Sequence, residues 1–479
     1  MKLSQDNLIY FVRLDRDSSR RVAEPRHLHP SLDIKYSMKL LADKNCMYHD
    51  QWVNPLLEDI LIKKIVDSGT TFVIIRATSF CFEESLSLSM KLKKNGIQTI
   101  AIGQQTTQLL KISENLVKQS YTFILHGETE VAVANLIHEI EGEKPYNDLV
   151  EEYWKKFKSS FYHTVENPEE LPLLDFSKEE LEIYPFPFPV RDGFYKKWAY
   201  LLTAWGCPHK CDFCTLIVRK TTGDNLRRRT PLRVVEEIES LCSQGADFLV
   251  IEDDTFFCNR SHLREICNLI IERNINIAWM CNARIDEIDE ESLKLAKRAG
   301  LKLVKVGVET GSPRVIEKLG KSKSGKVWLE NIKNSFALFE KYRVGAIGLF
   351  MVATPGEEIE DFRQTADLLK KIAPDYIQVQ IFTPYPDIKY YKEVENFVNS
   401  EKSFYHYKVP AVKLSKITEY TESEMQNLLY RRYYLNPRYI YRHLKFSWRY
   451  YTHASYIRKL TLKIFEKFHE MVRINNYEA

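Results

Sequence analysis

The chain has 479 residues, 44% of them hydrophobic and 28% charged, enough apolar material for two or three cores, which excludes a disordered or fibrous protein. Its longest apolar runs, such as "AIGLFMVA" from Ala346, fall far short of the roughly 20 residues a membrane span needs. Residues 1–20 carry Lys, Asp and Arg where a signal peptide carries an apolar core, so a cytoplasmic location is expected. A net charge of +4 is too small to name a partner, and nine unevenly spread cysteines do not read as a disulfide framework.

From the N-terminus, "LIYFV", "TFVIIRA", "IQTIAIG" and "YTFILHG" read as strands, with "LDIKYSMKLLADK", "SLSLSMKLKKNG" and "TEVAVANLIHEIEG" as the helices between them. Residues 1–145 are thus expected to form a doubly wound, Rossmann-like α/β domain, whose ligands sit at the carboxyl ends of its parallel strands. The loops leaving those ends, "ATSFCFEES", "GQQTTQ" and "HGETE", bring forward Ser79, Gly103, Gln104, Gly127 and Glu128. Residues 146–194 connect to the next domain. The Pro-rich, aperiodic part from 165 onward reads as an ordered linker because its aromatics are dense enough to pack, a disordered linker being the alternative.

The β/α cadence restarts at about residue 195 and runs to about 395. Six strand candidates, "YLLTAWG", "FLVIEDD", "IAWMCNAR", "LVKVGVET", "AIGLFMVAT" and "YIQVQIFTP", are each followed by a loop and an amphipathic helix. Six such units predict a partial (β/α)6 barrel with its active site at the strand ends.

After the first of these strands stands "AWGCPHKCDFCTLI". Cys207, Cys211 and Cys214 have the spacing C-x3-C-x2-C, with no fourth cysteine at ligand distance in sequence. A structural zinc site needs four ligands, whereas a four-iron cluster on three thiolates keeps one iron open to a substrate or cofactor. His209 lies inside the loop, and a Cys3His zinc site stays open as an alternative.

This spacing, with the aromatic Phe213 just before the third cysteine, resembles the signature of radical S-adenosylmethionine enzymes. "LVIEDDTFFCN" resembles the family's methionine-binding segment, with Glu252, Asp253 and Asp254 in place of the commoner Gly-Gly-Glu. "CNARID" around Arg284, "KVGVETGS" with Glu309, "GLFMVATPGEEIEDF" with Pro355, and "IFTPYP" resemble later segments. The resemblance covers about residues 195–390. It implies a [4Fe-4S] cluster on Cys207, Cys211 and Cys214 that reductively cleaves S-adenosylmethionine to a 5′-deoxyadenosyl radical. It also implies cofactor contacts at Glu252, Asp253, Asp254, Arg284, Glu309 and Pro355, and an external electron donor such as flavodoxin or ferredoxin. Any one of these carboxylates can instead be a helix cap or a solvated turn.

The N-terminal cadence resembles the cobalamin-binding domain that precedes the radical domain in one large subgroup. That implies corrin contacts at Ser79, Gly103, Gln104, Gly127 and Glu128. Two departures stand against it: no D-x-H-x-x-G sequence is present, and the Gly-Gly pair usual after "IAIG" is Gly103-Gln104 here. A vestigial domain that only packs on the barrel is the alternative.

Residues 396–479 are expected to form a helical tail. From Arg431 to Phe465 it holds nine Lys or Arg and no Asp or Glu, interleaved with aromatics. Such a stretch can meet an anionic membrane or RNA, or cap the barrel with its aromatics buried, and the cap is the expected role. The resemblance then implies a cobalamin-dependent methyltransferase acting on an unactivated carbon of a small-molecule or peptide substrate, with nucleic acid not expected as a partner. Alternatives are a radical rearrangement, cyclisation or oxidation without methyl transfer, and a non-catalytic iron–sulfur or zinc protein. An RNA methylthiotransferase needs three more cysteines in the first domain, which offers only Cys46 and Cys81.

Overall fold

The structure, a computed structural model, describes residues 8–14, 29–77, 81–103, 106, 114–142, 144–157, 162–185, 190–191, 193–214, 226–385, 388–394, 405–406, 409–410 and 413–451. Five parallel strands form the first sheet: β1 (Ile9–Arg13), β2 (Cys46–Asp50), β3 (Phe72–Arg76), β4 (Gln98–Ile102) and β5 (Phe123–Ile124), in the order β2-β1-β3-β4-β5. Successive strand residues supply opposite faces. Tyr10, Val12, Val73 and Ile75 join one core, while Ile9, Phe11, Phe72 and Ile74 join the other. Two buried faces explain why these strands read as unbroken apolar runs. Strand β2, "CMYHD", escapes the sequence pattern because it is an edge strand with only His49 and Asp50 buried.

The second sheet holds the six expected strands: β6 (Trp198–Leu201), β9 (Phe248–Ile251), β10 (Ala278–Arg284), β11 (Leu301–Glu309), β12 (Gly345–Val352) and β13 (Tyr376–Ile381). They are parallel and ordered in sequence from β6 to β13. Between β6 and β9 a short antiparallel pair intervenes, β7 (Ala204–Trp205) with β8 (Arg227–Arg228). Helix starts follow the caps written in the sequence: the side chains of Thr230, Asn259, Asp289, Ser312 and Ser324 each accept a backbone N–H of the first turn.

The connecting segment is packed. Leu171, Leu174, Phe176, Leu181 and Tyr184 belong to the same core as the barrel strands. The buried Arg229–Glu237 pair pins it from the barrel side. Arg229 donates to the carbonyls of Pro168, Leu171 and Pro172, and Glu237 accepts the N–H of Leu174 at 2.9 Å.

The tail also caps the barrel. From the helix Glu422–Tyr434, the hydroxyls of Tyr430 and Tyr434 accept the N–H groups of Val379 and Ile377 on edge strand β13. Those groups are thereby closed to another chain. In the next helix, Pro437–Tyr451, Tyr439 donates to Asp375 O and Arg442 to the carbonyls of Ala373 and Pro374.

Candidate active site at the mouth of the half-barrel

The cysteine loop begins where β6 ends. Asp253, from the segment after β9, is 2% exposed. One of its oxygens accepts the N–H groups of Thr203 (2.6 Å) and Ala204 (3.1 Å), and the other the Thr203 hydroxyl. Its carboxylate is thus turned back to hold the corner that launches the loop. Burial pushes its pKa up to about 7, against the opposing pull of those hydrogen bonds. Its neighbours differ. Asp254 is exposed, and Glu252 is half-buried, its N–H donating to Leu201 O at 2.9 Å while its carboxylate makes no hydrogen bond or ion pair among the described residues.

Cys207 and Cys211 are buried and Cys214 is half-buried, with the Cys214 N–H donating to Cys211 O at 3.2 Å. Arg284 is brought to this loop by the end of β10, its Nη1 lying 3.1 Å from Cys211 Sγ. Two bonds of 3.0 Å to Asp286 and one to Lys321 O hold the guanidinium in place. The motif around Arg284 names no partner for it within the chain; its neighbour is the second cysteine. His209 Nε2 lies 2.6 Å from Glu287 Oε1. Glu287 also accepts the Thr255 hydroxyl and, at 3.3 Å, the Arg284 N–H. The imidazole thus fastens the loop through Nε2. Among the described residues no three His, Cys or acidic side chains converge on a single ion.

Glu309 ends β11 in the left-handed region, φ 67°, where a residue other than Gly, Asn or Asp is uncommon. Its carboxylate pairs with Lys321 Nζ at 2.7 Å, both groups nearly buried. Lys321 also lies over the rings of Phe213 and Trp328. Gly307 makes room for the pair: a Cβ there would fall 2.3 Å from Glu309 Oε1 and 2.9 Å from Lys321 Nζ. Nothing in the motif around Glu309 pointed to Lys321, which arrives from a loop after the helix Pro313–Lys318. Pro355 follows the end of β12. It is buried in a turn closed by Thr354 and Glu357, and the segment 413–416 crosses beside it, with Gly356 N–H donating to Leu414 O and Lys416 N–H to Glu357 O.

Of the residues proposed at the first sheet's strand ends, Ser79 and Gln104 lie outside the described residues. Gly103, at φ 93°, sits where a Cβ would come within 2.9 Å of Ala77 O, so β4 and β3 end close together. Gly127 and Glu128 have another use. A Cβ at Gly127 would strike His163 O at 2.4 Å. Both oxygens of Glu128 meet Arg227 of β8 at 2.6 Å, and one also accepts the Val165 N–H. These two residues join the domains.

Residues 203–396 match the Radical SAM superfamily. Over 278 residues the chain is 27% identical to an uncharacterised methyltransferase of Pyrococcus horikoshii, a match covering 57% of this chain and 58% of that one. The chain thus spans under two thirds of that relative's length. Two solved structures share the fold. Methyltransferase TsrM of Kitasatospora setae, solved with cobalamin and a [4Fe-4S] cluster, has a TM-score of 0.57 at 16% identity, covering 82% of this chain and 75% of that one. The cobalamin-dependent radical enzyme OxsB has a TM-score of 0.55 at 15% identity, covering 89% of this chain and 61% of that one.

Proposed function

We propose, from the premise that residues 203–396 are a radical S-adenosylmethionine domain, that this chain is a cobalamin-dependent radical methyltransferase acting on an unactivated carbon of a small molecule. The observation that carries it is the joint itself: a three-thiol loop opens at the mouth of the half-barrel, and the strand-end loops of a doubly wound domain are fastened onto its flank by Glu128 and Arg227.

The residues present fit the two groups. Three thiols in one loop, with Arg284 against Cys211, suit an iron–sulfur cluster with one open iron. The carboxyl ends of the first sheet's parallel strands, where doubly wound sheets take their ligands, suit the second. When bound, the cluster supplies the electron that cleaves S-adenosylmethionine, and cobalamin carries the methyl group. The chain's own residues bind and orient. Glu252, half-buried and with its carboxylate in no hydrogen bond or ion pair among the described residues, takes the ammonium of the cofactor's methionine end, with Asp254 beside it. Glu309 turns from Lys321 to the ribose. Lys321, held among Phe213, Trp328 and Glu309, keeps a positive charge beside the cluster loop. Asp253 and His209 are positioning residues that set the two ends of that loop.

A second reading has support in the use of Gly127 and Glu128 at the domain joint: a radical rearrangement, cyclisation or oxidation without cobalamin. Anaerobic purification from cells supplied with cobalamin, followed by assays for corrin absorbance, S-adenosylhomocysteine and 5′-deoxyadenosine, separates the two. Stoichiometric corrin with both products supports methyl transfer; 5′-deoxyadenosine alone, without corrin, supports the second reading. Reduction by flavodoxin or ferredoxin and a peptide substrate belong to the same proposal. So does contact with an anionic membrane through the exposed Ile440, Tyr441 and Leu444, which share the tail with the exposed Arg431, Arg432 and Arg438.

A further inference from the structure

The order β2-β1-β3 places the reversal of strand order between β1 and β3, the crevice where doubly wound sheets take their ligands. Arg13 is the last residue of β1 and Arg76 the last of β3, and the two are paired in register. Arg13 is 1% exposed, and its guanidinium lies 3.9 Å over the Trp52 ring. Only one of its nitrogens is used: Nη1 donates to His29 O at 2.5 Å and reaches Asp50 at 3.4 Å. Asp50 is already engaged by the Tyr48 hydroxyl and the Trp52 N–H, both at 2.8 Å. Nε and Nη2 of Arg13 are buried without a partner. Those two nitrogens form one edge of the guanidinium, whose parallel N–H groups match the paired oxygens of a phosphate or carboxylate. A buried, unsatisfied charged edge is costly, and a ligand that fills it recovers that cost. Arg76 stands alongside. It spends Nε on Asp33, at 2.8 and 3.1 Å, and its side chain stays 19% exposed.

We infer that Arg13, backed by Arg76, seats a phosphate ester at the β1–β3 switch point. The site stands on the orphaned guanidinium edge; the identity of its ligand rests on the cobalamin reading, in which the phosphodiester of the nucleotide tail is the group that Arg13 holds. A nucleotide or free phosphate presents the same chemistry. Sequence reading passed over Arg13 because it closes an apolar strand and belongs to no motif.

The test is equilibrium binding followed by tryptophan quenching and corrin absorbance, on wild type, Arg13→Gln and Arg13→Lys. The probes are hydroxocobalamin, cobinamide (the corrin without its nucleotide and phosphate), adenosine diphosphate and inorganic phosphate. The expected result is that wild type binds hydroxocobalamin about ten- to a hundred-fold more tightly than cobinamide, the range for a charge-assisted hydrogen-bond pair. Arg13→Gln should lose that preference and bind cobinamide as wild type does, with Arg13→Lys between. If neither corrin binds but adenosine diphosphate or phosphate does, and only when Arg13 is present, the phosphate site stands and the cobalamin reading falls. Equal affinity of wild type for the two corrins overturns the inference, and this holds even if the Arg13 variants do not fold. So does unchanged binding of every probe by a folded Arg13→Gln, or no binding of any probe by wild type.

Discussion

Arg227 and Glu128 face each other across the domain joint with two parallel hydrogen bonds of 2.6 Å, each side chain about one-eighth exposed. The pair lies between the second strand of a short antiparallel ribbon and a strand-end loop of the first sheet, so it joins segments 99 residues apart. Arg227→Ala leaves a nearly buried carboxylate without its cation and should cost about 3 kcal/mol of stability. Denaturant unfolding checks the amount, and faster proteolytic cutting of the 143–165 connection checks the place. The double variant with Glu128→Gln should recover part of the loss; full additivity of the two single losses would mean that the residues do not interact.

Replacing Cys207, Cys211 and Cys214 together by Ala should abolish bound iron, labile sulfide and the brown chromophore after anaerobic reconstitution. Replacing Cys267 and Cys281 by Ala should leave all three intact. Both of the latter are core residues whose thiols burial holds in the protonated form, Cys267 at about 12. Loss of the cluster in a folded Cys267→Ala variant would contradict this division.

Mutation can separate the ion pair of Glu309 with Lys321 from the cofactor contact proposed for it. Glu309→Gln strands the Lys321 ammonium and should lower stability by about 3 kcal/mol. It should also weaken S-adenosylmethionine binding by roughly tenfold or more. Adding Lys321→Met should restore much of the stability and none of the affinity. Calorimetric titration with the cofactor and thermal unfolding of the same samples give both numbers; recovered affinity in the double variant would remove Glu309 from the cofactor.

Glu130 donates nothing and accepts the Trp205 Nε1–H at 3.1 Å, two residues before the first cysteine of the loop, while its other oxygen is buried and unpaired. Burial, with the Glu128 charge second, pushes its pKa up to about 7 from 4.5. The folded state therefore binds this proton more tightly than the unfolded state. The group's contribution to stability is fully present below about pH 4.5 and is lost as pH rises toward 7. Glu130→Gln should flatten the fall in the urea midpoint between pH 5 and 7. An unchanged slope would show that Glu130 is ionised throughout that range.

Vesicle flotation tests the tail. Wild type should float with vesicles containing phosphatidylserine and not with neutral phosphatidylcholine, and 0.5 M salt should release it, salt screening being strong at roughly that ionic strength. Ile440→Ser with Leu444→Ser should abolish flotation while Tyr439 and Arg442, bonded to the carbonyls of Ala373, Pro374 and Asp375 just before β13, keep the cap in place. Equal flotation of the variant would place the contact elsewhere.

Much of the architecture was written locally. The six barrel strands and the caps on their helices depend on apolar period and on Ser, Thr, Asn or Asp at helix starts, and both survive in any tertiary setting. The three-thiol loop was legible for the same reason, because its chemistry depends on spacing within eight residues. What escaped depends on contacts between distant segments. Strand β2 is polar because it is an edge, a property of the sheet and not of its five residues. Glu128 and Gly127 stand in a strand-end loop, and their contacts with Arg227 and His163 arise only when distant segments meet. Asp253 and Pro355 sit in the right motifs, and only the return of β6 and of the 413–416 segment turns them inward. Lys321 and Arg13 carry no signal of their own. Each acquires its place through burial beside a group far away in the chain, Glu309 for the one and the β1–β3 crevice for the other, and burial of charge is decided only once the chain has closed around it.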